Sequence, residues 1–70
     1  MDYVVILEQG ETSYGAYVPD LSGCIAVGTS REDVLTSIRE AIAIHLEEFR
    51  GGGGGLPPAT SRAEIVHIDS

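Results

Sequence analysis

The order of elements in this 70-residue chain is easiest to work out from one segment, Tyr14-Gly15-Ala16-Tyr17-Val18-Pro19-Asp20-Leu21-Ser22-Gly23-Cys24. Residues 14–18 predict a strand, because aromatic and β-branched side chains favour extended backbone. Residues 19–23 predict a turn, since proline fixes φ, aspartate bonds to neighbouring backbone and glycine accepts positive φ. Residues 24–28 predict a second strand. The segment therefore indicates two strands that run antiparallel around a shaped turn.

The residues before this segment add another strand. Residues 3–8 are rich in β-branched side chains and are apolar on both faces, which predicts a strand covered on each side. Residues 9–13 are polar and contain Gly10, which suits a hairpin loop. The first 28 residues therefore predict an antiparallel meander of three strands.

The residues after the meander predict a helix and a fourth strand. Ser30 is a good N-cap with Asp33 three residues on, and an apolar stripe of helical spacing runs through residues 31–50. The five glycines 51–55 end this helix and open a flexible Gly/Pro loop over 51–61. Residues 63–68 predict a fourth strand, which a right-handed crossover could place parallel to the first strand on its free edge. The order β-β-β-α-β predicts a single two-layer α+β domain.

Composition excludes several functions. Eleven acidic residues face four arginines without any lysine, for a net charge of −7, so the clustered cations that bind nucleic acid are missing. The longest apolar run has five residues, which is too short to span a membrane. One cysteine and two distant histidines offer neither a disulfide nor a zinc site. We expect a cytoplasmic protein without metal or cofactor, and a basic protein as a fitting partner.

The motifs resemble those of the HicB-like antitoxin family over nearly the whole chain. The specific part is the string from residue 14 to residue 24. The positions that carry the resemblance are Glu8, Gly15, Ala16, Val18-Pro19-Asp20-Leu21, Gly23-Cys24, Gly28, Glu40-Ala41-Ile42, Leu46 and Leu56-Pro57. Members of this family are described as having a partial ribonuclease-H-like fold of order β-β-β-α-β.

The resemblance implies a function and one difference. HicB proteins bind and neutralise HicA, a small basic toxin that cleaves mRNA, and many carry a C-terminal DNA-binding domain. The chain stops at Ser70, after the predicted fourth strand, so we expect a short stand-alone domain without that part. The leading hypothesis is an antitoxin that performs no catalysis. The alternative is a stand-alone homo-oligomeric regulatory or scaffold protein without a toxin partner.

Three groups of residues are candidates for these roles. The acidic positions that could meet a basic partner are Glu8, Asp20, Glu40, Glu47 and Glu48. The motif and turn positions are Gly15, Pro19, Asp20, Gly23 and Cys24. Because a domain this small gains only about 3–5 kcal/mol from its own core, we also expect a homodimer or larger assembly. The positions predicted to form that interface are Val4, Ile6, Tyr17, Ile25, Val27 and Ile65.

The same sequence also allows catalytic and ligand-binding alternatives. Cys24 is a nucleophile only with a lowered pKa and a nearby base, and otherwise a small buried residue. His45 lies in the helix stripe, where packing competes with a ligand role, and His67 is similar. A metal-dependent nuclease would need Glu8, Asp20 and Glu40 to converge. The remaining alternative is a base-stacking platform of Tyr3, Tyr14 and Tyr17.

Overall fold

Three antiparallel strands and one helix form an α+β fold, as the sequence predicts. The computed structural model describes residues 2–52 and 55–69. Its elements are β1 (Ile6–Gln9), β2 (Tyr14–Tyr17), β3 (Ile25–Gly28) and α1 (Arg31–Gly51), with the strands in the order β1-β2-β3. The strands are shorter than predicted, because each extends only as far as its neighbours pair with it.

The register of the sheet separates an inner face from an outer face. Leu7, Ala16 and Ala26 are aligned partners on the inner face, which α1 covers. The next row in the register, Ile6 with Tyr17 and Ile25, points the other way because side chains alternate along a strand. The buried core lies between the sheet and α1 and consists of Ala16, Val18, Leu21, Cys24, Val34 and Ile38.

Local interactions define both ends of α1. Ser30 adopts an extended N-cap conformation, and its Oγ accepts a hydrogen bond from the Asp33 N–H at 3.1 Å. The Asp33 carboxylate accepts from Thr29 Oγ1 at 2.7 Å, so it bonds the residue before the cap. The helix ends at Gly51, and the Gly52 N–H donates to the Glu48 carbonyl oxygen at 3.0 Å. The N-cap is the one predicted from the sequence.

The chain after α1 returns to the end of the sheet where β1 begins. The Tyr3 hydroxyl donates to the Pro57 carbonyl oxygen, and Ser61 bonds Asp20 in the turn that follows β2. Of the predicted loop at 51–61, residues 53 and 54 lie outside the described residues. The crossover therefore reaches the end of the sheet from which a strand parallel to β1 would start.

The predicted fourth strand at 63–68 is not formed. Residues 55–69 carry no strand, and Ile65 is fully exposed. The physical reason is that extended residues become a strand only when a neighbour supplies the ladder hydrogen bonds, and none of the described residues does so here. The three strands and the helix show the α+β class. The structure does not show the partial ribonuclease-H-like arrangement. No helix within residues 2–52 and 55–69 has the length and apolar character needed to cross a bilayer.

Candidate protein-binding surface

The motif between β2 and β3 folds into two consecutive turns. The Leu21 N–H donates to the Val18 carbonyl oxygen, and the Cys24 N–H donates to the Leu21 carbonyl oxygen, both at 3.1 Å. Gly23 has φ of +78°, the value that a type II turn requires at its third position. The Val18 N–H closes the pair of turns on the Cys24 carbonyl oxygen at 3.1 Å. Pro19 lies in the first of these two turns.

The double turn also inserts two side chains into the core. Leu21 is 2% exposed and Cys24 is 1% exposed. Burial raises the pKa of the Cys24 thiol, which keeps it in the protonated, poorly nucleophilic form. In the structure, Leu21 and Cys24 therefore pack in the core, and the motif residues around them form the turns.

Asp20 holds the C-terminal segment against this turn. Its Oδ2 accepts the Ser61 N–H at 2.9 Å, and its Oδ1 accepts Ser61 Oγ at 2.8 Å and Thr60 Oγ1 at 3.1 Å. These bonds, led by the Ser61 N–H, lower the pKa of Asp20 because they favour the ionised form. Both carboxylate oxygens are thus engaged within the chain.

His45 connects α1 to the same turn from the other side. Its Nδ1 lies 3.3 Å from the Ala41 carbonyl oxygen, and its Nε2 lies 3.3 Å from the Ser22 carbonyl oxygen. The half-buried ring borders a surface pocket of about 390 Å³, to which Glu48 and Phe49 also contribute. The arrangement places a carboxylate and an aromatic ring beside each other at the end of α1.

Three of the predicted acidic residues share one surface of α1. Glu40, Glu47 and Glu48 are exposed, and each lies one helical turn from Ile44. Ile44 is itself 61% exposed, so an apolar side chain lies among three carboxylates. Arg50 Nη1 lies 3.6 Å from Glu47 Oε1 as an exposed pair, which contributes little. We call Glu40, Ile44, Glu47 and Glu48 the acidic helix face.

The other two predicted acidic residues lie elsewhere. Glu8 pairs with Gly15 in the register and is exposed on the outer face of the sheet, in the layer opposite α1. Asp20 belongs to the double turn. Sequence reasoning missed Ile44, although its place outside the apolar stripe of the helix was a readable signal.

The predicted self-association residues divide into exposed and half-buried positions. Tyr17, Ile25 and Val27 are 39%, 70% and 76% exposed, and they share the outer face of the sheet. Val4 and Ile6 are half-buried. We call Tyr17, Ile25 and Val27 the outer sheet face.

The C-terminal arm, residues 62–69, is exposed throughout. Ile65 is 100% exposed, and Val66 and Ile68 are 73% and 72% exposed. His67 is also exposed, with its Nε2 3.1 Å from Asp69 Oδ1. The arm therefore presents apolar side chains that nothing in the described chain covers.

The remaining candidates do not assemble into one site. Tyr3 and Tyr14 pack against the core, whereas Tyr17 lies on the outer face, so the three rings form no common platform. Glu8, Asp20 and Glu40 lie on the sheet, the turn and the helix. Among residues 2–52 and 55–69, no group of three or more histidine, cysteine, aspartate or glutamate side chains is placed to hold a metal ion.

Relatives of the chain include two small proteins and part of a phage protein. A "UPF0150 protein" of Helicobacter pylori is 44% identical over 44 residues, which are 63% of this chain and 61% of that protein. A "UPF0150 protein" of Thermoplasma acidophilum is 31% identical over 68 residues, or 96% of this chain and 99% of that protein. An "uncharacterized 14.9 kDa protein in rep-hol intergenic region" of Haemophilus phage HP1 is 25% identical over 67 residues, 96% of this chain and 50% of its own length.

A family model also matches nearly the whole chain. It is described as "HicB_like antitoxin of bacterial toxin-antitoxin system" and aligns with residues 3–69. No solved structure matches the chain at a significant level. Because the alignment covers all three strands, the helix and the C-terminal segment, the chain belongs to the HicB-like antitoxin family of bacterial toxin–antitoxin systems.

Proposed function

We propose that this chain is a protein-binding antitoxin that neutralises a small, basic, HicA-like toxin by covering it in the cytoplasm. Family membership supports the class of function. The observation that carries the proposal is the acidic helix face, where exposed Ile44 lies one turn from three exposed carboxylates. An exposed apolar side chain among carboxylates suits contact with a basic protein, because the charges complement it and the apolar group can be buried.

The physical roles of these residues differ. An apolar side chain that becomes fully buried contributes most of the contact free energy, and the charges around it exclude water and set specificity. The carboxylates also accelerate encounter with a positively charged partner, since the whole chain carries −7. We therefore assign affinity mainly to Ile44 and association rate mainly to Glu40, Glu47 and Glu48.

Neutralisation in this proposal requires no reaction by the antitoxin. The bound chain blocks the surface through which the toxin reaches mRNA, and the toxin alone holds the catalytic groups. Incubation of the purified chain with RNA and Mg²⁺ or Mn²⁺ tests this point, and robust cleavage would overturn it.

The main experiment uses the small basic protein encoded beside this chain as the probe. We expect the two proteins to co-purify and the chain to relieve growth arrest when both are expressed. Glu47→Lys combined with Glu48→Lys should lower the association rate constant by at least tenfold, with the effect shrinking at high salt. The matched control is Asp2→Lys combined with Glu11→Lys, which changes net charge equally at exposed positions outside α1 and the C-terminal arm. Equal losses in both variants would contradict the assignment of the binding surface.

A second candidate function is a stand-alone homo-oligomeric regulatory or scaffold protein. The outer sheet face favours it, because Ile25 and Val27 are exposed beside each other on the same face. Sedimentation of the pure chain at micromolar concentration tests self-association, and a monomer would contradict it. The absence of a basic neighbouring product together with a stable oligomer would favour this candidate over the antitoxin.

A further inference from the structure

The pocket at the C-terminal end of α1 combines three features that attract positive charge. Its lining contains the Glu48 carboxylate and the Phe49 ring, which is 39% exposed. Gly52, the C-cap of α1, borders the same space, so the pocket lies at the negative end of the helix dipole. Carboxylates attract cations by charge, and aromatic rings attract them through their π electrons. We call the space lined by Ser22, His45, Glu48, Phe49 and Gly52 the helix-end pocket.

The arginine closest to this pocket in sequence does not neutralise Glu48. Arg50 Nη1 lies 3.6 Å from Glu47 Oε1, and neither of these two residues lines the pocket. Within residues 2–52 and 55–69, no ion pair involves Glu48, and its side chain is exposed. The Glu48 carboxylate is therefore available to a cation from another molecule.

The same lining disfavours other classes of ligand. The two ring nitrogens of His45 lie 3.3 Å from the carbonyl oxygens of Ala41 and Ser22, so neither is open to a metal ion. An anion would meet the Glu48 carboxylate and the negative end of the helix. The volume of about 390 Å³ is near the lower end of the range of small-molecule sites, about 300–1,000 Å³. It suits one long side chain better than a cofactor.

We infer that the helix-end pocket receives an arginine side chain of a basic protein partner. The guanidinium group is planar and has five donors, so it can stack on the Phe49 ring while it bonds the Glu48 carboxylate. A lysine ammonium is a compact, strongly hydrated charge that does not stack in this way. This inference rests on the proposed function, and it names the side chain by which the chain recognises its partner.

The inference gives two neighbouring carboxylates of the acidic helix face different roles. Glu48 lines the pocket and becomes covered when an arginine enters, whereas Glu47 lies outside the lining. Charges at the rim of an interface mainly set the association rate, and covered charge pairs mainly set the dissociation rate. Glu47→Gln and Glu48→Gln each remove one charge, so both should slow association to the same extent. Only Glu48→Gln should also speed dissociation, by at least fivefold.

Titration with an arginine derivative tests the pocket without the partner. N-acetyl-arginine amide is added to the isotope-labelled full-length chain, and the backbone amide shifts are followed by NMR. We expect saturable shifts at the lining residues, with a dissociation constant of about 1–20 mM for so small a ligand. Glu48→Gln and Phe49→Leu should each weaken binding at least threefold, and the control Glu47→Gln less than twofold. N-acetyl-lysine amide should bind at least threefold more weakly. Equal binding of the two derivatives, or equal effects of the two glutamine variants, would overturn the inference.

Binding kinetics with the small basic protein encoded beside this chain separate the inference from the proposed function. Surface plasmon resonance gives both rate constants for the unchanged chain, Glu47→Gln and Glu48→Gln. Faster dissociation of Glu48→Gln alone supports the pocket. If the basic protein binds and both variants dissociate at the same rate, the pocket is rejected and the antitoxin function stands. A basic protein that does not bind contradicts the proposed function, and the titration with the arginine derivative then decides the chemistry of the pocket alone.

Discussion

Gly28, the last residue of β3, lies so close to the backbone of α1 that a side chain there would clash with it, and replacing Gly28 by alanine tests this contact. A Cβ at this position would lie 2.7 Å from the Val34 backbone nitrogen and 3.0 Å from its Cα. Both are backbone atoms in the first part of α1, so no side-chain rotation relieves the contact. Since Val34 is 0% exposed, moving the helix away would open the core.

The expected cost follows from two opposing effects. Overpacking of this kind destabilises by about 1–3 kcal/mol. Removing a glycine also restricts the unfolded chain, which stabilises by about 0.4–1 kcal/mol. The net loss in the free energy of unfolding should be roughly 1–2 kcal/mol, or roughly 5–15 °C in Tm for a domain of this size. That is a large share of the stability that so small a core supplies.

Gly15→Ala is the matched control, because Gly15 also lies within a strand of the sheet. Its added Cβ would meet only the Ala26 carbonyl oxygen, at 4.0 Å. Urea and thermal unfolding, followed by circular dichroism at 222 nm and at one protein concentration, compare the variants with the unchanged chain. Gly15→Ala should be no less stable than the unchanged chain. If Gly28→Ala unfolds within about 0.5 kcal/mol of the unchanged chain, the close approach does not limit packing as argued.

Three further predictions use the same unfolding assay. Leu21→Ala should lower the free energy of unfolding by about 2–5 kcal/mol, because it leaves a cavity at a fully buried site. The control Ile44→Ala should change the free energy of unfolding by no more than about 0.5 kcal/mol, and similar losses in both variants would refute the prediction. Ser30→Ala should cost about 1 kcal/mol through the lost N-cap, and Thr36→Ala, an exposed mid-helix control, should cost nothing. The pKa of Asp20 is lower in the folded chain than its value of about 3.9 in the unfolded chain, so the ionised carboxylate stabilises the fold at any pH above about 3.9. This stabilisation is lost as the pH falls through the lowered pKa. Asp20→Asn should therefore be less stable than the unchanged chain at neutral pH and approach it in strong acid; a difference that does not vary with pH would contradict the role of the charge.

Part of the proposed binding surface is predictable from the sequence. Glu40, Glu47 and Glu48 are spaced for one helix surface, and the structure exposes all three. Ile44 is not predicted by the apolar stripe of the helix, because it lies outside that stripe. Charge alone does not show that Glu8 and Asp20 lie apart from the acidic residues of the helix. Their positions depend on the register of β1 and on the bonds that Asp20 makes with Ser61.

The order of the first four elements, β-β-β-α, and the N-cap of the helix follow from the sequence itself. The Ser30 cap, the apolar stripe of α1 and the double turn around Gly23 rest on interactions between residues a few positions apart, so local pattern predicts them.

Only the tertiary structure decided how the C-terminal segment is used. Its residues have the composition of a strand, yet Asp20 holds Ser61, 41 residues away, and Ile65 beyond it is fully exposed. A strand needs a partner as well as a propensity, and the availability of that partner depends on long-range geometry that local sequence does not encode. The hydrophobic pattern alone predicts Tyr17, Ile25, Val27 and Ile65 as interface positions, whereas only the tertiary structure shows that all four are exposed, because exposure depends on which neighbours the fold supplies.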